Sequence, residues 1–412
     1  MKMRTIFTTC VTAMALAVAG CSSGGESESG GAGGLTGDPI VIGVQAPSKG
    51  TTAAYPQSEY GAQAAEWFIN NKMGGINGRP VKLEICQGDG SPETSVNCAN
   101  QFVTSNVPVV FDANDPSSSA GVPVLTGAGT PIVGELSATA IPDALPWGQA
   151  FYFSGPLETS ALGLVTVVQR LDKRVVTLAA SDNAGSHAFI DKLVQPAAKN
   201  LGVSVSAIYT PANSVNFQVL AATALSGKPD VAGNLSLTED GCTGFFQALR
   251  QQGYSGTLYA GSCSQFIAAM KEQAAGAILQ PRLWLPASRP HAPAAVQQQL
   301  DDFASSMNEV NREKEQSARS LYSFAGMINL ANVLKTVQGD HTPESVTTAL
   351  KAVKDMPSFA GPAITCDGRQ WPGRPSACSK KAIFFNVQPD GSLAPVNPDG
   401  FIELDPKALQ SA

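Results

Sequence analysis

Apolar positions along the chain alternate between two spacings. Ile40, Val41, Ile42 and Val44 form a near-continuous apolar run, the mark of a strand buried on both faces of a parallel sheet. Tyr60, Ala64, Trp67 and Phe68 then recur at helical spacing, and Asn70-Asn71 stops the pattern. Gly74-Gly75 and Asn77-Gly78 suit a return turn that needs positive φ. Val81 to Ile85 alternates as the next strand. A strand, a crossover helix and a parallel strand form a right-handed βαβ unit. Ligands of such sheets sit beyond the carboxyl ends of the strands, which puts the loop from Ala46 to Tyr55 at a crevice.

The same alternation runs on for most of the chain. Ser91-Pro92-Glu93 starts a helix with a cap, a first-turn proline and an acid at the positive dipole end. Val107 to Phe111 reads as a third strand, and Ile132-Val133 and Phe151 to Phe153 as further short ones. After Gly155-Pro156 a second set begins. It has a helix at 160–171, a strand at 175–179, a loop at 182–187, a helix at 188–201 capped by Gly202, and a strand at 203–209. Segments 217–225, 231–235, 243–253, 258–260 and 265–275 continue it. Beyond Trp284-Leu285-Pro286 the pattern changes to three helices, 294–309, 318–338 and 343–354, the middle one long and apolar. The tail from Gly361 is strand and turn, including a strand at 382–387.

The pattern predicts an α/β protein with two doubly wound parallel-sheet lobes, because 412 residues exceed one ordinary core. Residues 1–20 carry Lys2 and Arg4 before a short apolar stretch, the form of an export signal rather than a membrane span. Val18-Ala19-Gly20-Cys21 matches the lipobox of bacterial lipoproteins, which predicts lipidation at Cys21, a flexible tether over 21–37 and anchoring to the outer face of the cytoplasmic membrane. Apart from Cys10 in the signal and Cys21, the cysteines are Cys86, Cys98, Cys242, Cys263, Cys366 and Cys378, an even set in an exported chain. Sequence proximity favours Cys86–Cys98, Cys242–Cys263 and Cys366–Cys378 among the fifteen possible pairings.

The chain is 15% charged with a net charge of −6 and has no basic patch, which argues against nucleic acid. Three scattered histidines and no CxxC pair argue against a metal. No Gly-x-Ser-x-Gly elbow or Walker loop is present, Gly127-Ala128-Gly129-Thr130-Pro131-Ile132 fails the dinucleotide fingerprint, and Ser181-Asp182-Asn183 stands without a Ser-x-x-Lys. The chain therefore reads as a non-enzymatic monomer without a cofactor.

The opening IGVQAPSKGTTAAY and the later GGINGRPVKL resemble type I periplasmic (solute-binding) proteins of the branched-chain amino acid, amide and urea ABC importers, over roughly 38–405. The resemblance implies a ligand cleft between lobes joined by a hinge that the chain crosses three times. The N-terminal lobe would be 38–154 plus 283–360, and the C-terminal lobe 155–282 plus 361–412. It implies a small-molecule ligand and a membrane permease as partners; a sensor passing closure to a signalling partner is the alternative. On its pattern Tyr55 would pack on the ligand, although a plain surface aromatic is the other reading. Asn114 and Ser117 lie in a hydroxyl-rich loop, and Ser137, Ala138 and Thr139 match the loop that holds a ligand carboxylate, or simply cap a helix. Trp284 is either a cleft aromatic or interlobe core. Two positions depart from the family. The turn Asp182-Asn183-Ala184-Gly185 lacks the usual aromatic, leaving Asn183 there, and Gly261-Ser262-Cys263 lacks the carboxylate that pairs with a ligand ammonium. Glu239 or Asp240 is the possible substitute; otherwise the ligand is neutral or mainly anionic, since burying an unpaired ammonium costs several kcal/mol.

Overall fold

The computed structural model describes residues 34–50, 54–211 and 215–409, so the signal segment and Cys21 lie outside the described residues. The first half is strand and helix in alternation: β1 (Ile40–Ala46), α1 (Pro56–Asn71), β2 (Val81–Gln87), α2 (Pro92–Thr104), β3 (Val110–Asp112), α3 (Val122–Gly127), β4 (Ile132–Gly134), α4 (Ala140–Asp143) and β5 (Ala150–Tyr152). The second set is α5 (Glu158–Arg170), β6 (Val175–Ser181), α6 (Ala184–Phe189), α7 (Gln195–Leu201), β7 (Ser204–Thr210), α8 (Phe217–Ser226), β8 (Val231–Asn234), α9 (Glu239–Gln251), β9 (Thr257–Gly261), α10 (Gln265–Met270) and β10 (Ile278–Leu279). Helices α11 (Ala294–Glu309), α12 (Ala318–Leu334) and α13 (Pro343–Lys351) follow, then β11 (Lys381–Ala382), β12 (Phe385–Val387), β13 (Leu393–Pro395) and β14 (Ile402–Glu403).

The described strands form two large open sheets and a two-stranded β11–β14 ribbon. The first has the order β2-β1-β3-β4-β5, with every pair parallel. The second runs β13-β12-β10-β9-β8-β6-β7; its five β6–β10 strands are parallel and β12 and β13 close one edge antiparallel. Each sheet reverses its winding beside its first strand, between β1 and β3 and between β6 and β8. Those switch points open crevices at the carboxyl ends. The apolar run at 40–46 is buried on both faces, as a central parallel strand must be.

The three late helices return to the first sheet. Helix α12 lies against α1, and the crossing is close: a Cβ on Gly61 would collide with the Ser320 carbonyl. At the other end of the contact a Cβ on Gly326 would sit 2.8 Å from the Phe111 ring. Small residues at both places let α12 lie directly on the sheet, with Phe324 packed among Phe68, Phe303 and Phe359.

Several expectations change. The segment 182–187 is not all loop: Asn183 accepts the Ser186 N–H and starts a helix at Ala184, hidden in the sequence because Gly185, Ser186 and His187 break the apolar period. The apolar run 382–387 is two strands, since Lys381-Ala382 pairs with β14 while Phe385–Val387 joins the second sheet. The third change of lobe comes later than Gly361. The Ser376 carbonyl accepts the Tyr152 N–H and the Cys378 N–H donates to the Tyr152 carbonyl, so this stretch extends the first sheet beyond β5 before the chain leaves near Ser379. Cys86–Cys98 and Cys366–Cys378 are bonded. Cys242 and Cys263 are not: both are buried free thiols. Cys263 stands close enough to Cys242 to raise its thiol, and Asn234 Nδ2 donates to Cys263 Sγ at 3.2 Å, which holds that sulfur as an acceptor.

Candidate functional site

Three strands of chain cross between the sheets, and polar side chains tie them together. Ser154, at the first crossing, donates to Glu135 Oε1 at 2.5 Å just beyond β4. Arg282, at the second, donates through Nη2 to the Pro156 carbonyl (3.3 Å) and to Ser160 Oγ (2.9 Å). Gln280 Nε2 donates to the Thr159 carbonyl, and Tyr259 donates to Gln280 Oε1 at 2.5 Å. At the third, Trp371 Nε1 donates to the Ser379 carbonyl, and Arg374 pairs with Glu158 at 2.6 Å.

Helix α12 carries polar side chains to the junction between the sheets. Arg319, Tyr322, Gly326 and Asn329 recur at spacings of three and four residues, so one polar stripe runs down an otherwise apolar helix. The Arg319 guanidinium lies 3.5 Å from the centroid of the Tyr55 ring, a cation–π stack, and its Nη1 donates to Asn114 Oδ1 at 3.1 Å. Asn114 holds a left-handed backbone (φ 62°), which Asn tolerates, and its Nδ2 reaches the Leu136 carbonyl at 3.4 Å. One turn on, the Tyr322 hydroxyl accepts the Arg282 backbone N–H at 3.1 Å. Asn329 Nδ2 meets Glu135 Oε2 at 3.4 Å, and its Oδ1 accepts the Phe359 N–H.

Burial sets the charges. It pushes Glu135 up to about 7, against the pull of Ser154, Asn329 and Arg282. It likewise lifts Asp112 to about 7, although Tyr152, Ser118 and the Asp115 N–H donate to it. Burial also raises Asp143, and it lowers Arg282 and Arg319. For Arg319 the neighbouring phenols of Tyr55 and Tyr322 and the Glu239 carboxylate oppose that effect, so Glu239 of the second lobe stands within electrostatic reach of it. Nη1 of Arg282 is buried without a hydrogen-bond partner.

Of the residues singled out in the sequence, Tyr55 and Asn114 come together around Arg319. Ser117 turns back to Asp115 Oδ1 at 2.8 Å, and Ser137 donates to Asp143 Oδ1 at 2.7 Å, so both hydroxyls are committed to their own loops. Thr139 Oγ1 meets Ser119 Oγ at 2.6 Å, which joins the loops after β3 and β4, and Ala138 is half-buried between Ser137 and Thr139. On the other lobe Asn183 is an exposed helix cap and Ser262 is exposed. Glu239 accepts the backbone N–H groups of Ser264 and Gln265, both at 3.0 Å. Trp284 is buried edge-on against Phe385 and beneath Gly400, a core position of the interlobe kind. The missing aromatic at 184 has a neighbour of another kind: His187 stacks on Tyr209 at 3.7 Å and bonds Asp182 at 2.8 Å. Arg319, Tyr322 and Arg282 were not singled out. The signal for the first two was the polar stripe on a helix that reads as apolar when only its hydrophobic positions are counted.

A family model described as periplasmic binding protein matches residues 39–379. Among known proteins, the chain is 35% identical over 103 residues to Leu/Ile/Val-binding protein homolog 3 of Brucella melitensis and 40% over 86 residues to Leu/Ile/Val-binding protein BraC3 of Rhizobium johnstonii. These stretches cover 25% and 21% of this chain and 25% and 23% of those proteins, so the chain aligns with about a quarter of each relative's length. In fold it is similar to a leucine-binding protein from Thermotoga maritima (TM-score 0.68, 15% identity, 88% of this chain and 99% of the other). It is equally similar to a substrate-binding periplasmic protein from Ralstonia solanacearum (TM-score 0.69, 18% identity, 86% and 99%). A third match is an ABC-transporter solute-binding protein from R. palustris in complex with 4-hydroxybenzoate (TM-score 0.69, 18% identity, 90% and 98%).

Proposed function

The chain belongs to the periplasmic binding protein family, and from that premise we propose that it is the extracytoplasmic solute-binding subunit of an ABC importer. It takes a small polar solute into the cleft and presents the closed form to a membrane permease, anchored through lipid on Cys21. The observation that carries this reading is the joining of two parallel sheets, each with a switch point at the carboxyl ends of its strands. Arg319, Tyr55 and Asn114 stand on one side and Glu239 on the other, and three crossing strands join the lobes. A cleft that puts polar groups from two bodies on one ligand gains contacts on closing, and only those extra contacts can drive closure. Among the described residues no helix is long and apolar enough to cross a membrane. Cys21→Ser should move the protein from the membrane fraction to the soluble fraction.

The test is thermal unfolding against amino acids, amides, ureas, short acids, polyols and sugars. A solute at a hundred times its Kd stabilises by about 2.7 kcal/mol, a shift plainly visible in a melt. A well-folded protein whose melt no solute moves would contradict the reading.

A further inference from the structure

Resting on the solute-binding reading, we propose that the ligand is a carboxylate without an ammonium group, and that Arg319 is the residue that receives it. A guanidinium carries five N–H donors in a planar fork. Among the described residues Asn114 Oδ1 takes one of them, and the Tyr55 ring covers one face of the plane. The fork is thus held in place while most of its donors stay available, the state that gives a bidentate carboxylate contact without a large ordering penalty. Among the described residues no acidic side chain forms an ion pair with Arg319, whereas Arg289 pairs with Asp301 and Arg374 with Glu158.

The rest of the cleft agrees. The second cation at the junction, Arg282, keeps Nη1 buried and without a partner, and its backbone is tied to Tyr322 one turn from Arg319. The hydroxyls of Ser117 and Ser137, which a carboxylate would otherwise use, are spent on Asp115 and Asp143. The Glu239 carboxylate of the second lobe accepts the Ser264 and Gln265 N–H groups on Oε2, with a longer Ser264 contact on Oε1, so part of its acceptor capacity is spent within its own lobe. A cleft with two arginines and an engaged glutamate selects a planar anion over a zwitterion. A phosphate dianion would call for more than one free cation at the same point.

The experiment is calorimetric titration and melting of the full chain with acetate, lactate, succinate and benzoate, each beside its neutral amide, with leucine and inorganic phosphate as further arms. The expected result is that at least one carboxylate binds, its amide binds at least tenfold more weakly, Arg319→Gln loses at least tenfold, and Arg319→Lys falls between. Asn114→Gly keeps the left-handed backbone, removes the brace and should weaken the same carboxylate while leaving the melt of the free protein nearly unchanged. If Arg319→Gln does not fold, Arg319→Lys and Asn114→Gly carry the test. Binding of leucine, an amide or phosphate in place of every carboxylate, or unchanged affinity in the folded variants, overturns the carboxylate assignment and leaves solute binding standing. Binding of nothing in any class overturns both.

Discussion

Asp112 ends β3 and Glu135 follows β4, and both carboxylates are buried away from water. Their usual values are 3.8 and 4.5, and burial lifts both to about 7. Between those limits the folded chain holds protons that the unfolded chain has released, so stability falls as pH rises through that window. The melting temperature should therefore drop from pH 5 to pH 8, and Glu135→Gln, which keeps a polar partner for Ser154, should flatten part of the slope. A flat profile in the parent protein would contradict the burial of these groups. The thiols offer a second check at this scale. Of the six described cysteines, alkylation under denaturing, non-reducing conditions should label Cys242 and Cys263, and in the native protein neither should react, since both are buried. A third disulfide in mass spectrometry would restore the pairing that proximity suggested. Here the sequence was least informative. Cys242 lies in the first turn of a helix and Cys263 follows a strand, and nothing in their spacing says whether the sulfurs bond or stay as two free thiols.

Among elements, α12 links the core to the cleft. Its N-terminal turn carries Arg319 and Tyr322, and its position depends on the close crossing with α1 at Gly61. Gly61→Ala should destabilise the protein by about 1–3 kcal/mol through overpacking. It should also weaken solute binding, because displacement of α12 moves the guanidinium from Asn114; a melt and a titration on the same sample check both. Wild-type values for both would show that the helices separate freely. The existence of α12 was legible from its apolar spacing, and its first residue fell where the sequence placed it. Its use was not legible, because the apolar count that identifies a helix discards Arg319, Tyr322 and Asn329, the polar side chains of the stripe. The short β10 and the capped turn at Ala184 were lost for a related reason, since two-residue strands and polar first turns carry no period. The loops at the ends of β1 and β3 were legible as a crevice because parallel-sheet topology alone puts them there.

At the scale of the whole molecule, two open sheets of the same winding meet across three crossing strands, and the polar ties at Ser154, Arg282 and Trp371 brace the junction without filling the cleft. The two βα halves were readable from periodicity, whereas the place of the third crossing was set by main-chain bonds to Tyr152 that no local pattern announces. The central claim is that a solute is held between the lobes by loops from both. Hydrogen–deuterium exchange of the full chain, with and without the solute that raises its melting temperature, tests this most directly. The account predicts added protection in 112–119 and 137–143 of the first lobe together with 181–186 and 236–240 of the second. Protection confined to one lobe, or found only away from the strand ends, would contradict it.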